Sequence, residues 1–512
     1  MIEAEVHQRL RAFLREQGHT QWPHHLTMAR LVARALRIGR SALIQTGSAS
    51  AYCGYHRLSY LMPALIWPEP AILVIPEFFH QRLMQVDIPH LLQSVPTVKS
   101  IQVGERWPAA DFRGLLMTSP EAWLSSQLQQ QQRFPGQVLT LIDGADQLES
   151  WAREQLTSSL RTADWEALAL AYPGQQTAIR DLRVRLTHAI FQHPVNPYDC
   201  YLIDQPEQAL LLELYASLAE TPWQTEAMPP AWQAFWQLFQ AANRLAWIRV
   251  DREQGRFSLH CAPAEVATRL APIWQQQPLV LVGAAVDASS RAEVYRERLG
   301  LGDLTCVRFA PDRRSDIIQL YLPDRLPLPN TSHFQTAILQ EIRALLSLEQ
   351  SRTQPTVIVV GDEPLKAQIG TALAAEFGSR VQVEKAGLMA NGILVTGWQF
   401  WQDHQLTLPP PGLLVITTLP LPSLENPLVA GQVAYYKRLR QDWFRLYLLP
   451  EALRTLQLAI ASVRVHRGLV ALLDNRVNHR SYGQQILATL SPAARTNYLD
   501  PEWLSTALDQ TL

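Results

Sequence analysis

The sequence predicts an α/β protein of two parallel-sheet domains, the first carrying a helical insertion. Three observations point there. Short, continuous apolar runs of strand length recur between stretches of helical periodicity, which marks strands buried on both faces of a parallel sheet. The alternation occurs twice, on either side of a proline-rich segment, Leu326-Pro327-Leu328-Pro329-Asn330. Between residues 151 and 255 it lapses into a helical, Trp- and Gln-rich stretch. A chain of 512 residues also exceeds what one hydrophobic core can organise.

The elements follow in order. Residues 1–40 read as helices, with Leu10, Phe13 and Leu14 on one face, then Met28, Leu31, Val32, Ala35 and Leu36 at helical spacing. Arg34, Arg37 and Arg40 mark a basic helix end. Strand runs then appear at 41–45, 71–75 and 138–143. The stretch 151–255 holds Trp151, Trp165, Trp223, Trp232, Trp236 and Trp247 with few strand signals; its tryptophans read as core. The sheet pattern resumes at 278–283, and Tyr321-Leu322-Pro323 leads into the proline-rich linker, read as the domain boundary. A helix over 337–348 opens the second domain, followed by strand runs at 356–360, 392–396, 413–416 and 469–474. Two sheet domains on a short linker form a cleft of the kind that binds nucleotides and nucleic acids.

Composition excludes several classes. Hydrophobic residues at 47% and charged residues at 18% are those of a globular chain rather than a disordered one. The formal net charge of −1 gives no global attraction to nucleic acid or anionic membrane, so a nucleic-acid site has to be a local groove. No apolar run approaches a membrane span, and the acidic start, with Glu3 and Glu5, is unlike a signal peptide. Cys53, Cys200, Cys261 and Cys306 form no C-x-x-C pair, which argues against a disulfide framework or zinc ribbon and for a reducing cytoplasm. The histidines show no H-x-x-x-H or H-E-x-x-H spacing, so no metal site is expected.

Local wording carries a family resemblance. Leu58-Ser59-Tyr60-Leu61-Met62-Pro63-Ala64-Leu65, Gln81 to Pro89 and Leu281-Val282-Gly283-Ala284-Ala285-Val286 fall in one order, with Arg298-Leu299-Gly300-Leu301 after them. Thr396-Gly397-Trp398-Gln399-Phe400-Trp401-Gln402-Asp403, Leu419-Pro420, Asn426-Pro427, Tyr447 to Ala452 and Leu473-Asp474-Asn475-Arg476 continue the series. This succession, spanning nearly the whole chain, resembles the DinG/XPD (Rad3-like) superfamily 2 DNA helicases. The resemblance implies two RecA-like domains of the P-loop type: the first in residues 1–150 and 256–328, an arch-like insertion at 151–255, and the second at 329–512. It also implies ATP and Mg2+ as family cofactors.

The positions that carry the family's chemistry are altered. A phosphate cradle needs glycines, a Lys and a Ser/Thr in G-x-x-x-x-G-K-[ST]. The matching segment runs from Thr46 and Gly47 through Gly54, with Tyr55 in place of the last Gly and His56 and Arg57 in place of Lys and Ser/Thr. Arg57 and a helix start still attract anions; the other reading is an ordinary strand-to-helix loop. The Asp-Glu-Ala-His box reads Asp143-Gly144-Ala145-Asp146, which keeps the acid that holds magnesium through water and loses the Glu that orients the attacking water. Asp143 is read either as that metal carboxylate or as a cap on the next helix. The motif Gln-Gly-x-Gly-Arg-x-x-Arg matches Gln457 and Arg464, with Ala461 where the first arginine would stand. Arg464 is read as a residual γ-phosphate contact or as a surface or interdomain salt-bridge residue. No cysteine lies between Leu65 and Asp143, so the family's iron–sulfur cluster is not expected.

For nucleic acid, Lys437, Arg438 and Arg440 interleave with Tyr436 and Trp443, the mixture of cations and aromatics that suits phosphate contact and base stacking on a single strand. An amphipathic helix with its aromatics in the core is the competing reading. The expected function is single-stranded nucleic-acid binding with impaired or absent ATP hydrolysis. Two others stay open: an active ATP-dependent helicase with a non-standard nucleotide loop, and a structural scaffold that binds a protein partner through the insertion.

Overall fold

The structure, a computed structural model, describes residues 2–17, 22–95, 99–219, 228–312, 316–348 and 354–499. Trp223 lies outside the described residues. Two helices open the chain, α1 (Ile2–Glu16) and α2 (His25–Ile38), the second closed by Gly39 in the left-handed conformation, φ 66°. They bury Leu10, Phe13, Met28, Val32 and Leu36 against one face of the first sheet.

That sheet begins with β1 (Ala42–Gln45), β2 (Ala71–Val74), β3 (Ile101–Val103), β4 (Leu115–Thr118) and β5 (Thr140–Asp143). All residues of β1, β2, β4 and β5 are buried, as apolar runs without alternation require. The chain then leaves the sheet for the insertion and returns with β10 and β11. The insertion differs from the expectation of a helical body over 151–255. Its helices Thr162–Ala171, Gln176–Phe191, Gln205–Ala219 and Pro230–Phe239 pack on a four-stranded antiparallel sheet, β6 (Ser158–Leu160), β7 (Cys200–Leu202), β8 (Arg244–Asp251) and β9 (Arg256–Pro263), in the order β6-β9-β8-β7. Trp151 sits on the preceding helix, Leu148–Gln155, and packs with the first domain's core, while β9 runs eight residues past 255. Trp165, Trp232 and Trp236 are core residues; Trp165 meets Trp232 edge to face at 4.8 Å, and the Trp232 indole N–H donates to the Asp164 carbonyl at 2.8 Å.

The first sheet closes with β10 (Leu279–Gly283) and β11 (Thr305–Arg308), giving seven parallel strands in the order β11-β1-β10-β5-β2-β4-β3. The second sheet takes β12 (Ile318–Tyr321), β13 (Thr356–Val360), β14 (Val381–Val383), β15 (Ile393–Gly397), β16 (Leu413–Ile416), β17 (Leu469–Leu472) and β18 (Ala493–Thr496), again parallel, as β14-β15-β13-β16-β17-β12-β18. Because β12 pairs with β17 and β18, the chain crosses between sheets before Ile318, ahead of the proline-rich segment at which the sequence places the boundary. Apolar clusters cover both faces of each sheet.

The insertion also touches the second domain. Helix Pro427–Arg438 lies on β7 and β8. A Cβ on its Gly431 would stand 2.3 Å from Leu245 Cδ1 and 3.1 Å from Leu202 Cδ2. The Gln432 amide, buried beside it, donates to the Ala264 carbonyl at 2.9 Å. Helix propensity alone would favour any ordinary side chain over glycine by several tenths of a kcal/mol. Gly431→Val is nevertheless expected to destabilise by about 1–3 kcal/mol, the range for overpacking, and to speed proteolysis of the insertion. A rise in melting temperature with unchanged proteolysis would refute this docking geometry.

Candidate functional site

The segment matching a phosphate cradle leaves β1 at Thr46, whose backbone N–H continues the ladder to the Gly283 carbonyl at 2.9 Å. Gly47, at φ 83°, then admits a short helix, α3 (Ser48–Cys53), where a cradle would keep its amides open. Instead the N–H groups of Ala51, Gly54, Tyr55 and Arg57 bond to Gly47, Ala51, Ser50 and Gly54 carbonyls within the segment. Gly54, at φ 75°, ends α3, and α4 (Arg57–Ile66) begins three residues later. The glycines therefore serve a turn into and out of a helix.

His56 and Arg57, at the positions of the cradle's Lys and Ser/Thr, both turn inward. His56 Nε2 lies 3.2 Å from Asp143 Oδ1, and Arg57 Nε donates to Asp143 Oδ2 at 3.4 Å. Tyr60, one helical turn on, donates its hydroxyl to Asp143 Oδ2 at 2.8 Å. The Arg57 guanidinium also sits over the Phe79 ring, 3.7 Å from its centroid. Burial by itself would raise the Asp143 carboxyl, but His56, Arg57 and the Tyr60 hydroxyl outweigh it and hold the group well below the usual carboxylate range. Of the two readings of Asp143, the helix cap fails: the turn that follows has no side-chain cap, and the carboxylate is spent on three side chains. Sequence reasoning missed Tyr60; its signal was the i, i+3 and i, i+4 spacing to Arg57 and His56, which places all three on one helix face.

Gly144 is demanded by the backbone. It sits at φ 107°, and a Cβ there would stand 2.5 Å from the Trp151 ring. A glutamate at this position would meet both obstacles. Asp146, two residues on, accepts the Ala284 N–H at 3.0 Å and faces the chain after β10.

The second domain closes over α3. Helix Ala461–Val465 packs on it, with Ala461 and Ser462 buried opposite the small residues Ser48, Ala49 and Ser50. Gln457 and Arg464 reach this seam, as the sequence match places them, and line one cavity with Thr46 and Gly47. Its volume is about 20 Å³. That admits about one water, whereas ligand pockets run to about 300–1,000 Å³. Arg464 is not a surface residue, and among the described residues it has no ion pair across the domains. Only 2% exposed, it donates to the backbone carbonyls of Asp316, Leu490 and Pro492, tying together the segments that lead into β12 and β18. Burial lowers its guanidinium to about 10, with Asp316 opposing. The residues of this cleft do not fit ATP with magnesium. Among the described residues no group of three or more His, Cys, Asp or Glu side chains is placed to hold a metal ion.

Residues 389–493 match the helicase C-terminal domain family. The chain is 23% identical to the ATP-dependent DNA helicase YoaA of Haemophilus influenzae over 261 residues, 48% of this chain and 40% of that protein. It is 22% identical to the 3'-5' exonuclease DinG of Bacillus subtilis over 287 residues, 51% of this chain and 31% of that one. The match thus spans less than half the length of these curated relatives. An XPD helicase structure superposes with a TM-score of 0.59 at 10% identity, covering 93% of this chain and all of the other. Over the residues matched, the chain is thus similar in sequence to DinG- and YoaA-type helicases, and in fold to XPD.

Motifs that resemble the family most closely are packing devices. Trp401 is fully buried and its indole N–H donates to the Ala459 carbonyl at 3.0 Å. Asp474, also fully buried, accepts the Leu419 N–H at 2.7 Å and pairs with Arg476 at 2.6 Å. Sequence reasoning did not find the cluster that joins the domains. Arg298 of the first pairs with Glu149 at 2.7 Å and with Glu451 of the second at 2.8 Å, and Arg454 reaches Glu451 at 2.9 Å.

The expected nucleic-acid residues are split. Lys437 and Arg440 are exposed beside half-buried Trp443, with Lys437 Nζ 5.3 Å from its ring centroid. Arg438 is exposed too, but donates to Asn243 of the insertion at 3.2 Å. Tyr436 is no open platform: its ring stacks on Tyr447 at 6.0 Å.

Two outcomes follow. Gly144→Glu is expected to add no ATP hydrolysis over the parent chain and to cost at least the roughly 1–2 kcal/mol of a left-handed side chain, measured by urea unfolding beside a phosphate-release assay. For Glu451, burial raises the carboxyl, but Arg298 and Arg454 overcome it and hold it at about 2. Stability from a carboxylate held below its unfolded value of about 4.3 is complete above that pH and lost as pH falls toward the folded value. Glu451→Gln should cost about 3 kcal/mol at pH 7, low in the range for broken buried pairs because the side chain is 22% exposed. The gap to wild type should narrow as pH drops from about 4.3 to 2, and a pH-independent gap would contradict the pairing.

Proposed function

We propose that the chain is a nucleic-acid-binding member of the helicase family that does not hydrolyse ATP. The observation that carries this reading is the Asp143 cluster: the residues at cradle positions neutralise the acid at the magnesium position, and a cavity of about 20 Å³ is left at the seam. Phosphoryl transfer depends on positioned charge around the γ-phosphate and its metal. Here each group that would supply that charge has an internal partner: His56 and Arg57 hold Asp143, and Arg464 holds backbone carbonyls.

Binding to single-stranded nucleic acid draws support from the names of the helicase relatives and from the exposed end of helix Pro427–Arg438. There Lys437 and Arg440 are exposed, with Lys437 over the Trp443 ring and neither in an ion pair among the described residues. Affinity from such contacts falls steeply with salt, since each neutralised phosphate releases counterions. The four cysteines are unpaired, in keeping with work in a reducing cytoplasm. A second reading, a scaffold that docks a protein partner on the insertion, draws on Leu170, Val184 and Val195, which are 68–75% exposed there. Isolated apolar residues on a surface are ordinary, so this ranks below the first.

The purified protein is expected to show no thermal shift with ATP and magnesium and no DNA-stimulated phosphate release, yet to retain a single-stranded oligonucleotide at low salt and release it as salt rises. DNA-stimulated turnover at ordinary enzyme rates would overturn the loss of hydrolysis. Failure to retain any oligonucleotide at low salt would overturn nucleic-acid binding and leave the scaffold.

A further inference from the structure

The first sheet ends on one side at β11, which pairs with β1 and with no other strand among the described residues. Register decides which of its backbone groups are occupied. The Thr305 N–H donates to the Ser41 carbonyl at 3.3 Å and the Phe309 N–H to the Gln45 carbonyl at 2.9 Å, so Thr305, Val307 and Phe309 turn their amides toward β1. The amides and carbonyls of Cys306 and Arg308 therefore point outward along the open edge, where none is hydrogen-bonded among the described residues.

Side chains alternate between the two faces of the strand. Those of Cys306 and Arg308 lie on one face, where the thiol and the guanidinium donate to the Arg291 and Ala288 carbonyls. Thr305 and Val307 lie on the other, the face on which α2 packs. That helix rests on β1 and stops short of covering the edge strand. A groove of about 160 Å³ is left, with Leu31, Ala35 and Ile38 of α2 as its wall and Ile44, Thr305 and Val307 as its floor. Ile38 is 44% exposed there. Folded proteins blunt a free edge with a proline, a bulge or an inward charge; β11 carries none of these on its groove side.

The charge of the groove is one-sided. Arg34 and Arg40, part of the basic helix end visible in the sequence, stand at its rim, both exposed and neither in an ion pair among the described residues. Among those residues no acid lines the groove. Arg37, between them in the chain, is committed to Glu3 at 2.7 Å.

These features discriminate between occupants. Outward backbone groups at the strand repeat are satisfied by another extended chain, whose alternate side chains also reach the floor. A small molecule is a poor match, since ligand pockets run to about 300–1,000 Å³. A second copy of β11 would bring Arg34 and Arg40 toward their own counterparts, and like charges across an interface repel. An extended segment with carboxylates beside its apolar residues answers the edge, the floor and the rim together.

We propose that the β11 edge and the groove beside α2 form a docking site for a protein partner, which adds an extended acidic segment as a further strand of the first sheet and lays alternate apolar side chains over Ile44 and Val307. The site shares no residue with the Lys437 cluster and does not rest on the nucleic-acid-binding reading.

The test titrates the full chain with a labelled heptapeptide in which valine and glutamate alternate, followed by anisotropy, beside the same peptide with lysine for glutamate. The glutamate peptide is expected to bind and the lysine peptide is not. Cys306→Pro removes one outward N–H at a place where an edge strand tolerates proline. It should weaken binding about fivefold, the loss of about one backbone hydrogen bond, with little change in melting temperature. Arg34→Glu with Arg40→Glu alters exposed side chains only, and so tests the site even if the proline variant unfolds. It should weaken the glutamate peptide about tenfold and admit the lysine peptide. In the free chain the Cys306 and Arg308 amides should exchange with solvent faster than that of Val307, and the glutamate peptide should slow them. No binding of that peptide at millimolar concentration would overturn the proposal, as would binding that both variants leave unchanged. Slow exchange of Cys306 and Arg308 in the free chain would mean an edge already covered, by a second copy if protection falls on dilution and by the chain itself if it does not; either result overturns an open site. Binding of (dT)20 that competes with the peptide, survives Cys306→Pro and is lost in the arginine variant would assign the groove to nucleic acid instead.

Discussion

One buried carboxylate organises the centre of this molecule. Taking Asp143 out of water costs several kcal/mol unless charge and hydrogen bonds replace the lost hydration. His56, Arg57 and Tyr60 meet that demand from a single helix face. Their commitment to Asp143 fixes the start of α4, and the segment before it is free to coil into α3 rather than wrap an anion. Once α3 exists, its small residues give helix Ala461–Val465 a surface to close on. The closed seam thus follows from internal charge compensation around Asp143.

Closure is reinforced at two other places. The Arg298–Glu149–Glu451–Arg454 cluster crosses between the RecA-like domains in a largely buried setting, where removing one partner leaves an uncompensated charge. The insertion adds a third joint, since helix Pro427–Arg438 of the second domain lies on its sheet at the closest approach glycine permits. A relative motion of the two domains would have to break an ion cluster, an apolar seam and a helix-on-sheet contact together.

Fold class and family were legible in the sequence because both depend on patterns local to the chain. Strands buried on two faces, such as Ala71–Val74 and Leu413–Ile416, have to be continuously apolar, and the packing landmarks Trp401 and Asp474 keep their chemical types. The residue types at the matched motif positions could likewise be read directly, since a Gly at 144 or an Ala at 461 lacks a charged side chain whatever surrounds it. The insertion was harder. Its strands β8 and β9 carry apolar residues on both faces, so Leu245 and Trp247 against Ile248 and Val250 blur the period of two; the turn at Gly255, φ 62°, was the available clue.

By itself, then, the sequence determined the main buried strands of the two sheet domains, in order, and which residue types stand at the matched motif positions. It could not say what the remaining groups do. Arg464 read as a phosphate contact or a salt-bridge residue became a buried clamp on three carbonyls, and Asp143 became an ion-pair centre, because their partners lie 26–148 and 83–87 residues away in the chain. The same holds for the insertion sheet, where strand register brings Arg161 and Arg249 into one row. Charge compensation and cross-strand pairing are long-range events, and only the tertiary structure decides them.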